Sequence, residues 1–171
     1  MDPFADVLAA NGEYGRGFAD AGIAGTAARG LAVVTCMDSR IEPLAMLGLR
    51  RGDAKILRNA GARVTDDVLR TLVLAAHLLQ VDRVMVIAHT DCRMSKVSDA
   101  DVHAELLRRG VDTRSLDFHT VADQEATLAR DVQRVRSSPY LPVGLPVLGC
   151  RYDVATGLLD VIVPQGSDAA A

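Results

Sequence analysis

Short unbroken apolar runs alternate along the chain with stretches in which apolar residues recur every three or four positions. Leu31–Cys36 (LAVVTC) and Arg83–Ala88 (RVMVIA) are runs of the first kind, the pattern of strands buried on both faces. Ala54–Arg58 (AKILR) reads as another strand. Between them, Thr65 precedes Asp66 and Asp67: a capping hydroxyl and then two acids at the positive end of a helix dipole. The helix predicted there runs over 66–79, with Val68, Leu72, Ala75, Ala76 and Leu79 on its apolar face. Further helices are expected from about Phe4 to Phe18, from Pro43, from Ser98 to about Arg109, and from His119 to Arg136. The last of these carries Val121, Leu128, Val132 and Val135 as its apolar stripe. Val147–Tyr152 and Leu158–Val163 flank Asp153-Val154-Ala155-Thr156-Gly157 and read as a terminal hairpin, with Gly157 at a positive-φ position.

Strands alternating with helices predict an α/β fold: a mostly parallel central sheet flanked by helices, extended by the C-terminal strand pair. A length of 171 residues suits one domain with a core large enough to need no staples. Residues 1–30 would form a helical arm and a Gly-rich linker, and 165–171 (QGSDAAA) a disordered tail. With no Trp and few other aromatics, that core must be Leu, Val, Ile and Ala. The net charge of −3 and a pI near 5.8 give no basic footprint for nucleic acid. No apolar run is long enough for a membrane span, and the first residues lack the pattern of a secretory leader. A cytoplasmic protein is the expectation.

Ligands of such sheets bind at the carboxyl ends of the strands, so the residues just beyond each apolar run are the candidates for chemistry. The first run ends in Cys36-Met37-Asp38-Ser39-Arg40; the third strand runs into His89-Thr90-Asp91-Cys92. Cys36, His89 and Cys92 are a credible set of Zn²⁺ donors, the fourth position being left to water or to Asp38. Taken singly, each cysteine is more often plain core. Their joint placement at adjacent strand ends is what favours a metal. Asp38 and Arg40 match as a bidentate pair, with an ordinary loop ion pair as the bland alternative. Asn59 and Gly61, in Arg58-Asn59-Ala60-Gly61, would form a polar turn near a substrate or simply a turn. Cys150 is expected in the hairpin core, His77 as a packing histidine, His103 and His119 as exposed, and Arg108-Arg109 as a solvated helix end. There is no C-x-x-C, so thiol redox chemistry is poorly supported.

CMDSR, RNAG, TDDVLRTL and HTDC, in that order, resemble the β-class carbonic anhydrases, and the closing YDVATGLLDVIVP is similar to the family's last strands. The length is similar to that of the compact bacterial and archaeal branch. The resemblance implies that Cys36, His89 and Cys92 hold zinc, that Asp38 and Arg40 are the catalytic dyad, and that zinc-dependent reversible hydration of CO₂ to bicarbonate is the activity. It also implies a homodimer in which the N-terminal helix embraces the other subunit. Two thiolates cancel the formal charge of Zn²⁺, so better hydration above neutral pH is expected. Two other readings keep the metal: hydrolysis of carbonyl sulfide or carbon disulfide, and non-enzymatic bicarbonate binding. One position departs from the family: Arg93 stands where Gly commonly follows the second zinc cysteine. A positive φ there would make Arg costly; a helical one would not, and an inward side chain would add a cation where an anionic product forms.

Overall fold

In the computed structural model, which describes residues 2–166, ten elements follow one another. They are α1 (Ala5–Arg16), β1 (Leu31–Cys36), α2 (Pro43–Met46), β2 (Ala54–Asn59), α3 (Asp66–Leu78), β3 (Arg83–His89), α4 (Asp99–Arg108), α5 (Gln124–Arg136), β4 (Val147–Tyr152) and β5 (Leu159–Val163), with single 3₁₀ turns at Ala60–Ala62 and Arg93–Ser95. The five strands form one sheet in the order β2-β1-β3-β4-β5. All pairings are parallel except β4 with β5, which is the antiparallel hairpin. Gly157 in its turn has φ 76°.

β1 sits second in that order and is buried at all six positions. Its alternate residues feed two cores, as a period of two requires. Ala32 and Val34 face Val84 and Val86 of β3, Leu72 of α3, and Val132 and Val135 of α5. Leu31 and Val33 join Ile87 and Cys150 on the opposite face, where the cover is thinner and includes half-buried Met46, Ile56, Met85 and Leu148. Cys150 is thus a core residue, and all three cysteines are free thiols.

Local chemistry sets the boundaries. Thr65 caps α3, its Oγ accepting from Val68 N. Ser98 and Asp101 close a reciprocal capping box on α4. Pro43 opens α2, where its missing N–H costs nothing. The end of the linker is pinned: Ala27 is buried and bonds to Leu79 O, and Ala28 bonds to Gly52 O.

Three expectations need correction. The helix expected from His119 starts at Gln124, capped by Asp123, whose Oδ1 accepts from Ala126 N at 3.0 Å. The preceding residues are held elsewhere: His119 has φ 53°, Thr120 N and Oγ1 donate to Asp99, and Val121 N donates to Met94 O. His77 is exposed rather than packed, its Nε2 2.9 Å from Tyr140 O. His103 is half-buried rather than exposed, with Nδ1 2.8 Å from Thr113 Oγ1 and its ring 5.1 Å from that of Phe118. In the tail, Gln165 and Gly166 have no regular structure. Residues 167–171, where most of the predicted disorder falls, lie outside the described residues.

Candidate metal centre

The register of the sheet brings the site together. β1 and β3 are parallel neighbours with Thr35 opposite Ile87, so Cys36 and His89 emerge at the same edge of the sheet. The chain then turns through Thr90 and Asp91, the latter in the left-handed region at φ 57°, and returns Cys92 to the same place. Ligand atoms of Cys36, His89 and Cys92 lie within 4.8 Å of one another, and all three side chains are buried.

Each donor is aimed by backbone. His89 Nδ1–H donates to Thr90 O at 2.8 Å, which leaves the lone pair of Nε2 directed at the two sulfurs. Among the described residues, that Nε2 is the one buried side-chain N or O atom with no hydrogen-bond partner. A buried acceptor without a partner is costly, and a cation is the partner this geometry fits. Gly61 N–H donates to Cys36 Sγ at 3.4 Å. Gly61 has φ 82°, and a Cβ there would press on Met94 at 3.3 Å. The β2 turn therefore reaches the site through a glycine amide.

The two thiols are shifted in opposite directions. Cys36 is brought down to about 3, first by the hydrogen bond from Cys92 and against the opposing effect of burial, with His89 and the amides of Gly61 and Asp38 assisting. The same bond, together with burial, pushes Cys92 up. Burial works against a charged His89, but the neighbouring Cys36 sulfur, the Thr90 carbonyl and Asp38 favour it and together raise the imidazole. A soft cation that displaces the thiol proton of Cys92 converts both sulfurs to ligands, so Cys36, His89 and Cys92 fit zinc.

Asp38 lies beside this set, its Oδ2 3.9 Å from His89 Nε2. Arg40 grips both carboxylate oxygens, Nε to Oδ1 at 2.9 Å and Nη2 to Oδ2 at 2.7 Å. That bidentate bond, first among several causes, holds the Asp38 carboxyl well below the usual range. Arg40 also reaches the other loop, Nη1 to Asp91 Oδ2 at 2.8 Å, and Lys96 pairs with the same Asp91. Arg58 latches the first loop, donating to Cys36 O at 2.9 Å and Asp38 O at 2.6 Å. Gln124, at the start of α5, donates to His89 O at 2.8 Å. Arg58, Asp91 and Gln124 bear on the site, yet sequence reasoning did not single them out. Asp91 and Arg58 left a trace only by sitting inside HTDC and RNAG; Arg58 and Gln124 act through backbone atoms of distant segments. Asn59, expected near a substrate, uses both amide ends on the backbone of Arg63, at 2.7 and 2.8 Å. It holds the β2 turn. Arg93 opens a 3₁₀ turn and is not among the residues with positive φ, so Arg is tolerated there without strain.

A family model for carbonic anhydrase matches residues 31–159, most of the chain and every residue of the cluster. The chain belongs to the β-carbonic anhydrase family. β-Carbonic anhydrase 1 of Mycobacterium tuberculosis is 31% identical over 159 residues, covering 93% of this chain and 97% of that protein. A crystal structure of carbonic anhydrase from Streptococcus mutans superposes with a TM-score of 0.86 at 37% identity, covering 95% of this chain and 99% of the other. A carbon disulfide hydrolase of Acidithiobacillus thiooxidans is 30% identical over 151 residues, 77% of this chain and 76% of its own. β-Carbonic anhydrases use zinc, and the Cys36–His89–Cys92 cluster is built to hold it. Cys36 and Cys92 of the cluster line an open cavity of about 520 Å³, together with residues 37–40, Ala60, Arg93 and Met94.

Proposed function

We propose that the protein catalyses the zinc-dependent, reversible hydration of CO₂ to bicarbonate and a proton. The observation that carries this is the buried Cys36–His89–Cys92 triangle, with its unpartnered His89 Nε2, beside a carboxylate held by Arg40. Zinc, when bound, supplies the Lewis acidity that makes water nucleophilic near neutral pH. The chain does the rest. Asp38 is kept ionised by Arg40, so it accepts a hydrogen bond from the attacking water and orients it. Arg40 holds that carboxylate at the edge of the donor set and ties the two ligand-bearing loops together. Met37 and Met94 give neutral CO₂ an apolar wall in the same cavity.

The test is stopped-flow CO₂ hydration with zinc measured on the same sample from mildly acidic to alkaline pH. A rate that rises towards alkaline pH at about one zinc per chain is expected; no hydration from fully zinc-bound protein would sink the reading. The match to a carbon disulfide hydrolase supports a second reading on the same site. Assaying CO₂, carbonyl sulfide and carbon disulfide side by side decides between the two, by which kcat/KM is largest.

The same proposal makes the chain a single-domain, cytoplasmic homodimer. Three buried free thiols without a disulfide suit a reducing compartment. Among the described residues no helix is long and apolar enough to cross a membrane. α1 buries none of its residues, and the N-terminal segment exposes Phe4, Val7, Leu8 and Tyr14. The thinly covered sheet face with Ile56, Met85 and Leu148 is a surface of matching character for a second copy.

A further inference from the structure

The cavity over the metal cluster serves two different ligands, neutral CO₂ and anionic bicarbonate, and its polar side chains divide accordingly. Cys36, His89 and Cys92 face one another, their ligand atoms within 4.8 Å. Asp38 and Arg40 are engaged with each other, and Arg40 is further taken by Asp91. Arg58 is spent on the carbonyls of Cys36 and Asp38, and Lys96 on Asp91. Two polar side chains on the cavity wall have no hydrogen-bond or ion-pair partner among the described residues: Ser39 on the loop after β1 and Arg93 on the loop after β3. Both are exposed.

We propose that Arg93, with Ser39 as a second donor, is the docking group for the bicarbonate anion. This rests on the carbonic anhydrase reading and extends it to the residue that separates the two ligands. The charge balance gives the direction. With zinc bound, two thiolates cancel its formal charge, so the metal floor has no net positive charge to hold an anion. Asp38 and Asp91 are offset by Arg40 and Lys96. Arg58 donates Nε and Nη2 to backbone carbonyls of the first loop and does not line the cavity. Arg93 is then the guanidinium with donors to spare, and a guanidinium matches two oxygens of a planar carboxylate-like anion. CO₂ carries no charge for Arg93 to act on. Its interaction therefore favours the bicarbonate-bound state selectively, which makes Arg93 a specificity-determining residue.

The experiment compares wild type, Arg93→Ala, Arg93→Lys and Ser39→Ala as zinc-bound protein with matched metal content. Steady-state hydration and dehydration give KM and kcat for each direction, and isothermal titration gives the affinity for bicarbonate and for thiocyanate. Arg93→Ala is expected to raise KM for bicarbonate about tenfold, the loss of one charge-assisted contact, and to shift KM for CO₂ by a much smaller factor. Both anions should bind about tenfold more weakly in the titration, with Arg93→Lys recovering part of the loss and Ser39→Ala showing a smaller one. Equal shifts in the two KM values, or anion affinities within about twofold of wild type, would overturn the proposal. If wild type binds zinc but hydrates no CO₂, the proposed function fails by itself. The titration still judges Arg93, because a bicarbonate affinity lost in Arg93→Ala does not depend on turnover.

Discussion

At the scale of single residues, the proposed site separates groups that would hold the metal from groups that would use it. Cys92 would contribute a sulfur from a buried position, and its loss leaves one thiolate and one imidazole, so Cys92→Ala should purify with little zinc, as read by metal analysis after dialysis against a mild chelator. Full zinc content would remove Cys92 from the ligand set. Asp38 is bound to Arg40 and stands off from His89 Nε2 at 3.9 Å. Asp38→Ala should therefore keep its zinc while losing about a hundredfold in kcat, the usual worth of a positioned proton acceptor. Cys36, His89, Cys92, Asp38 and Arg40 were singled out by their types, their place at predicted strand ends and the resemblance to the family, and the fold brings all five together. Arg58 and Gln124 were not singled out. Each donates to a main-chain carbonyl of a segment far along the chain, and a carbonyl is common to every residue.

At the scale of elements, the helices aim the loops. α5 reaches the turn after β2 through Asp131, whose side chain is 7% exposed and accepts from Arg63 Nε at 2.8 Å and from Val64 N at 3.2 Å. That turn carries Gly61, whose amide meets Cys36. Asp131→Ala leaves a guanidinium with 18% side-chain exposure short of its partner, and should cost about 3 kcal/mol in urea unfolding. Asp131→Asn, which keeps an acceptor, should cost less; equal losses would show that packing rather than the pair matters. Strand and helix identities followed from periodicity and capping chemistry. The start of α5 did not, because the apolar stripe continues through Val121, which is buried outside the helix. Its amide is claimed by Met94 and its neighbour Thr120 by Asp99, and these tertiary bonds outweigh a continued helical pattern.

At the scale of the whole molecule, acid stability and assembly are both open to test. Several carboxyls are held low in the folded chain: Asp91 at about 2, chiefly by Lys96, and Asp38 and Asp99 still lower, chiefly by Arg40 and Thr120. The unfolded chain binds protons near pH 4 that the folded chain refuses. Their stabilisation is complete above that pH and is lost as pH falls through the folded values. Tm should hold from pH 7 to about 5 and drop below pH 4; a Tm that rises on acidification would contradict the assignment. The proposed dimer turns on α1; Arg51 lies 5.7 Å from the ring of Tyr14 in that helix and of Phe18 just beyond it. Removing residues 2–18 should convert a dimer to monomers in sedimentation velocity without loss of the β-sheet signal in circular dichroism. A truncated chain that stays dimeric would place the interface elsewhere.

The sequence by itself determined the α/β class, the order of the strands along the chain, the free thiols and the identity of the donor set. Those properties are read from short stretches: a strand is announced by its period, a cap by its hydroxyl, a candidate zinc donor by its side chain and its place at a strand end. Only the tertiary structure decided that β1 and β3 are neighbours in a register that closes the donors to within 4.8 Å, and that Arg40 is shared between two loops. It also decided that Arg93 stands without a partner on the cavity wall. Distance and availability are properties of pairs of residues far apart along the chain, and they come into being when the core around β1 packs.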